Sequence, residues 1–246
     1  MSESALFSVD ELTAVASNAR FDGLSRFSRL QSPQFTLHKI TSSERVQVEH
    51  YIQDKFFHVH NAKVSHFLPD IITLSCHDGY SAAVGLCAAD RGALFAEKYL
   101  VAPVETVLQD TLGIATQRDK IVEIGNLVST WKGSSMLLFV FLSELIDRLG
   151  FHWAMFTATH EVEQLLARLH YVPVILADAQ PQCLEDDGVS WGTYYRTRPR
   201  VMIGDVRAAL AQSRDNKLYR TTAAVIKSRV DQVVDQYQST GKILMA

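Results

Sequence analysis

The stretch of residues 120–159 in the middle of the chain restricts the fold more than any other. It runs KIVEIGNLVS, TWKGSS, MLLFVFLSELIDRLG, FHWAMFTAT, and predicts strand, tight polar loop, apolar helix, strand. Ile121, Val122, Ile124, Leu127 and Val128 give residues 120–129 the composition of a strand. Gly125-Asn126 in its middle predicts a bulge or a close backbone approach. Residues 136–149 are apolar almost all round, so that helix must be buried against a sheet. Gly150 ends it, and residues 153–157 resume as a strand. Lys132-Gly133-Ser134-Ser135 opens the helix, and unpaired N–H groups at such a start favour an anion, for example a phosphate.

The flanking sequence builds a sheet around this unit. Residues 35–40 alternate as a first strand, and Thr41 with Glu44 three residues on predicts a capped helix start. That helix runs to about His60 and buries Val48, Ile52 and Phe56. Residues 70–75 and 80–88 are strands joined at His77-Asp78-Gly79, where Asp-Gly signals a turn. Residues 91–100 lead to a helix over 103–112 with Pro103 in its first turn. Beyond the central unit come an amphipathic helix over 160–169, a strand over 172–176, a turn-rich stretch, and strands over 190–196 and 201–206. Strands alternating with helices imply an α/β fold with a mixed central sheet of six or seven strands, flanked by helices. The chain divides into an N-terminal arm (1–34), the sheet domain (35–207) and a helical tail (208–246).

The two ends leave alternatives open. A short helix over 10–18 is expected in the arm, where Arg20, Arg26 and Arg29 sit among Phe21, Phe27 and Leu30. They read as a solvated arm packed on the domain or as a basic docking surface. In the tail, Ile226, Val230, Val233 and Tyr237 form a helical apolar stripe. Six basic residues against three acidic ones between 214 and 242 give it a balance of +3. Such a helix packs on its own domain, on a second copy as in a homodimer, on an acidic carrier protein, or peripherally on a membrane.

Composition removes several classes of function. With 246 residues, 47% hydrophobic and 21% charged, the chain is an ordinary globular one. A net charge of −3 gives no footprint for nucleic acid. Cys76, Cys87 and Cys183 are odd in number and scattered, which speaks against a disulfide framework and for a reducing, cytoplasmic setting. No signal-peptide pattern opens the sequence, and the longest apolar run, 136–142, is far below the roughly 20 residues that span a bilayer. His58, His60 and His66 lack a carboxylate to complete a site, so no metal is expected. There is no G-x-S-x-G elbow, and Ser239-Thr240-Gly241-Lys242 lacks the first glycine and the preceding strand of a P-loop.

The element order resembles the Gcn5-related acetyltransferase (GNAT) fold, in which a bulged strand precedes a loop and helix that cradle the cofactor pyrophosphate. More specifically, HFLPDIITL at 66–74, LFAEKYL at 94–100, RDKIVEIGNLVS at 118–129, GFHWAMFTAT at 150–159 and WGTYYRTRPRVMIGDV at 191–206 resemble the thermostable hemolysin family, a divergent branch of that fold. The resemblance implies an N-acyltransferase with no tightly bound cofactor. Its donor would be acyl-coenzyme A, or the acyl-phosphopantetheine of an acyl carrier protein, as in the acyl-homoserine lactone and N-acyl amino acid synthases. The acceptor would be a small amine, and the product an amphiphilic N-acyl compound. Thr130-Trp131-Lys132-Gly133-Ser134-Ser135 keeps only one glycine of the usual GNAT phosphate loop. The family label, taken literally, offers the alternative of a membrane-active protein without enzymatic activity.

Acyl transfer to an amine needs a base, an oxyanion donor and a proton for the leaving thiolate. Glu123, a lone carboxylate in an apolar strand beside the irregularity, is the expected base, its pKa raised by burial. Its alternative is a buried ion pair. Asn126 would orient substrate or hold the bulge through the backbone. Glu97 and Tyr99 share one face if 94–100 is extended, and would then recognise the acceptor, with Glu97 next in line as base. Lys132, Gly133, Ser134, Ser135 and Met136 would bind the donor phosphates, chiefly through backbone amides. Tyr194 and Tyr195 fall where a GNAT enzyme often keeps its thiolate-protonating tyrosine, and on a strand only one of the pair could serve. Trp191 lines the substrate or simply packs.

Overall fold

A computed structural model describes residues 33–76, 79–130 and 133–239. The expected helix over 10–18, the arginines of the arm, Lys132 and Lys242 lie outside the described residues. Residues Ile121–Ser129 form strand β4, at the centre of a seven-stranded sheet ordered β1-β2-β3-β4-β5-β7-β6. The other strands are β1 (Gln34–His38), β2 (Asp70–Cys76), β3 (Gly79–Ala88), β5 (Trp153–Ala158), β6 (Val174–Asp178) and β7 (Arg200–Asp205). Strand β5 runs parallel to β4, and every other neighbouring pair is antiparallel. The sheet is therefore mixed, as expected.

Helix α1 is Arg45–His60, α2 Val104–Leu112, α3 Ser134–Arg148, α4 His160–Arg168, α5 Val206–Ser213 and α6 Lys217–Ser239. Helix α3 is the apolar segment of the central unit, and its all-round hydrophobicity has a simple cause. One side packs on the sheet, where the Phe141 ring stacks on Phe35 at 3.8 Å, and α6 covers the other. Ile226, Val230 and Val233 of the tail stripe are buried in that contact, and Tyr237 packs against the same core. The Tyr219 hydroxyl donates to Glu144 at 2.6 Å, and Arg148 pairs with Asp231.

The opposite face of the sheet carries two adjoining cores. Val48, Ile52 and Phe56 of α1 cover Ile71, Ala83 and Val128. Beside them, the segment between β3 and β4, with α2, covers Ile121, Trp153, Met155, Val201 and Ile203.

Two local expectations are corrected, and one condition is settled. Helix α1 begins at Arg45 rather than Thr41, and its cap residue Glu44 makes no side-chain capping bond. The Arg45 guanidinium instead donates to the carbonyls of His38, Leu68 and Pro69 and so ties the helix start to the loop before β2. Residues 190–196 are not a strand. Val189–Trp191 and Tyr194–Thr197 are 3-10 turns, separated by Gly192 and Thr193. Phe95–Tyr99 is a 3-10 turn as well, so the extended form that would put Glu97 and Tyr99 on one face is not adopted. Among the described residues, no helix is long and apolar enough to cross a membrane.

Candidate active site

The site begins at the irregularity in β4. Ala83 pairs with Val128 and Gly85 with Gly125, so two residues of β4, Asn126 and Leu127, stand against Val84 alone. That is a bulge, and Asn126 adopts φ +50° within it. The close approach expected from the glycine is present as well. Leu68 lies over the paired glycines, and a Cβ on Gly85 would fall 2.9 Å from both Leu68 Cβ and Asn126 Oδ1. Asn126 Oδ1 accepts from the Leu68 N–H at 2.8 Å, and its Nδ2 donates to the His66 carbonyl at 3.0 Å. Both polar atoms of the Asn126 side chain are thus engaged by the backbone of the loop before β2. Pairing of β4 with β5 ends at Ile124 opposite Phe156. The two strands part there, and a cavity of about 310 Å³ occupies the opening.

Glu123 lies at the inner end of this opening, only 3% exposed. No cation among the described residues balances its charge, so the ion-pair alternative does not hold there. Its carboxylate accepts from the Phe95 N–H at 2.8 Å and the Ala96 N–H at 2.9 Å, capping the 3-10 turn. Burial pushes its pKa up to about 7, against the pull of the two amides, and nearby Glu97 adds to the rise. A carboxylate offers about four acceptor positions, of which these amides take two. Glu123 also lines the cavity.

Glu97 occupies a different environment. In a 3-10 turn, residues two apart do not share a face, so Glu97 and Tyr99 separate. Glu97 accepts from Leu94 N–H at 2.7 Å and Val104 N–H at 2.9 Å, and Arg118 donates to both its oxygens. Burial raises its pKa, but Arg118 and the two amides outweigh that and hold it below the usual glutamate range. Arg118 also donates to Glu105 and to the carbonyls of Ala89 and Gly92. Glu97 is thus a structural hub and is not among the cavity-lining residues, which corrects its expected place beside the substrate.

Tyr99 does line the cavity. Its hydroxyl is 2.6 Å from that of Tyr195, which is outside the lining. Burial raises the pKa of both, so both remain protonated at neutral pH. Tyr194 and Trp191 line the cavity as well. In a 3-10 turn adjacent side chains point about 120° apart rather than to opposite faces, so Tyr194 and Tyr195 both reach the site's surroundings. Gly192, at φ +55°, lets this segment close on α1, because a Cβ there would lie 2.2 Å from the His60 carbonyl oxygen. The same carbonyl accepts from Thr193 N–H at 2.8 Å. Gly192→Ala is expected to cost about 2–3 kcal/mol in urea unfolding, through strain and overpacking together. A loss below about 0.5 kcal/mol would mean that this docking is loose.

At the other end of the cavity, Gly133 caps α3 at φ +98° without a side-chain acceptor. Gly133, Ser135 and Met136 line the cavity, and Ser135 Oγ is 2.7 Å from Ser129 Oγ. Ser134 is fully buried and does not line it. Between the ends, Met136, Phe139, Phe156, Val162 and Leu165 make an apolar wall from α3, β5 and α4.

Residues 38–210 match the family model described as thermostable hemolysin, well over half the chain. The chain belongs to the thermostable hemolysin family. No protein of curated function matches it. Among solved structures it is similar to TofI in an apo form, at 13% identity and a TM-score of 0.49, over 72% of this chain and 96% of that one. It is similar to FeeM, an N-acyl amino acid synthase from uncultured soil microbes, at 8% identity and a TM-score of 0.48, over 74% and 96%. It is also similar to MesI, a CoA-dependent acyl-homoserine lactone synthase, at 16% identity and a TM-score of 0.44, over 74% and 93%.

In this member of the thermostable hemolysin family, several site residues escaped sequence reasoning. Arg118 looks like any loop arginine, and nothing local marks its five acceptors. Phe95 contributes through its amide, which carries no side-chain signature. The Leu94–Glu97 spacing was the available signal, since a glutamate three residues past a turn start commonly folds back on it. His60 and His66 line the cavity as aromatic surface, the first edge-on to Tyr194 at 5.3 Å, the second stacked on Phe95 at 4.9 Å.

Proposed function

We propose that the protein is an acyltransferase that moves an acyl group from a thioester to a small amine, giving an N-acyl amphiphile. One observation carries the reading. A single cavity joins a buried carboxylate with a pKa near neutrality, an apolar wall, and a helix start built on glycine. In the reaction, Glu123 as carboxylate takes a proton from the acceptor ammonium, directly or through water. The amine nitrogen attacks the thioester carbonyl, the C–N bond forms and the C–S bond breaks. The second amine proton passes to the departing thiolate through the Tyr99–Tyr195 hydroxyl pair. The donor phosphates lie against the amides at Gly133 to Met136, and the acyl chain lies along Met136, Phe139, Phe156, Val162 and Leu165. Asn126 holds the bulge that keeps the cleft open. The volume is in the range of small-molecule sites.

The donor is coenzyme A or carrier-bound, and calorimetric titration with acyl-coenzyme A and with acyl carrier protein separates the two. Saturable binding of one is expected, and folded protein that binds neither would overturn the proposal. The purified protein is expected to leave lipid vesicles intact, while cells that make it gain a new acylated lipid. Vesicle leakage by the pure protein would favour the literal sense of the family label.

A further inference from the structure

We infer that the acceptor is a primary amine carried on an aromatic or other apolar body, with no carboxylate beside the amine. This deepens the acyl-transfer reading and rests on it for the reaction. The inference comes from the wall around Glu123. The amide of Phe95 that holds the Glu123 carboxylate belongs to a residue whose ring lies in a connected set of aromatic rings. Phe95 lies 6.0 Å from Trp191 between centroids, Trp191 lies 5.3 Å from Tyr194 and 5.8 Å from Phe56, and all four line the cavity. An ammonium group beside a carboxylate and among aromatic faces is favourable on both counts, and an apolar body fills the rest of such a wall.

Among the described residues, a carboxylate on the acceptor would have no counterpart at that wall. His60 and His66 are held towards their neutral forms by burial. Among the described residues, two cations, Lys55 and Arg168, line the cavity. Arg168 ends α4, which packs on the α3 face of the sheet, the face opposite the aromatic wall. Lys55 stands over the Tyr51 ring at 5.6 Å, and the Tyr51 hydroxyl contacts Thr130 at the far end of the β4 segment. Lys98 sits over the Phe95 ring at 5.1 Å but is not part of the lining. An α-amino acid would therefore bring a second charge beside Glu123 that repels it.

The test compares phenethylamine, phenylalanine and ethanolamine, by calorimetric binding to the full chain and as acceptors with decanoyl-coenzyme A and decanoyl carrier protein. Phenethylamine is expected to bind, and to exceed the other two in kcat/KM at least tenfold. Trp191→Leu is expected to weaken phenethylamine binding about tenfold. Trp191→Phe, which keeps a ring, should recover most of it, and circular dichroism confirms that both variants are folded. Preference for phenylalanine or ethanolamine, with acylation observed, would overturn the acceptor class and leave acyl transfer standing. Phenethylamine that binds in a Trp191-dependent way but is never acylated would support the acceptor wall and sink the acyl-transfer reading. Failure of phenethylamine to bind the wild-type protein would overturn the inference outright.

Discussion

Glu123→Gln is expected to lower turnover by roughly 10²–10⁴, the scale of a positioned general base, with donor binding nearly intact. Glutamine keeps the shape and one acceptor oxygen, so one of the two amides, Phe95 or Ala96, still has its partner. What it loses is basicity. The carboxyl titrates at about 7, and only its carboxylate form accepts a proton. The rate should therefore climb with pH up to about 7 and level off above, and the variant should lose that profile. Stability carries the opposite sign. Folding raises this pKa from its usual 4.5, so the native state holds a proton that the unfolded chain has released. Between about pH 4.5 and 7 the wild type should lose about 3 kcal/mol on this account, a slope that Glu123→Gln removes. A variant within a few-fold of wild-type turnover would make Glu123 a capping residue alone.

Arg118→Met is expected to cost about 3 kcal/mol, the low end of the range for breaking a buried ion pair, because the Glu97 carboxylate is only 11% exposed while Arg118 keeps 25%. Methionine preserves the stem and its packing, so the loss measures the guanidinium. The effect should reach the chemistry as well. Arg118 gathers Ala89, Gly92, Glu97 and Glu105, and Glu97 in turn fixes both the 3-10 turn and the start of α2. That turn supplies the amides on Glu123 and carries Tyr99. Urea unfolding at neutral pH, with turnover measured on the folded fraction, checks both parts. A stability change under about 0.5 kcal/mol would show that the hub is redundant, in line with an ordinary surface pair.

The parts of this molecule that were legible in the sequence are those set by periodicity and local chemistry. The apolar run of α3, the Gly125-Asn126 irregularity and the stripe on α6 each announce their own surroundings. Glu123 was visible for the same reason, as a charge in a strand that otherwise must be buried. The form of the segment from 94 to 100 was left open by its sequence, and that from 190 to 196 was misread, because its aromatics and alternation suit a strand and propensity of that kind reflects a half-buried surface rather than a backbone preference. Their 3-10 form depends on partners far off in the chain, namely Arg118 for the first and the His60 carbonyl for the second. The start of α1 moved for a related reason. Arg45 reaches carbonyls on either side of the helix, and no spacing within 41–44 encodes that.

The bulge in β4 has one more consequence, for how this gene can tolerate insertions and deletions. Upstream of it, Ile121 and Glu123 face the insertion side while Val122 and Ile124 face α3. Downstream the parity is reversed, with Val128 facing α1 and Leu127 facing α3. Loss of the single codon for Asn126 would restore an even strand, with Leu127 alone opposite Val84 and every residue after it keeping its face. Val128 would still face α1, and Leu127 would still face α3. The extra residue serves the cleft and not the phase of the cores, so a lineage that had no use for the cleft could lose this one codon, whereas a one-residue slip of the strand elsewhere would turn its side chains to the wrong face.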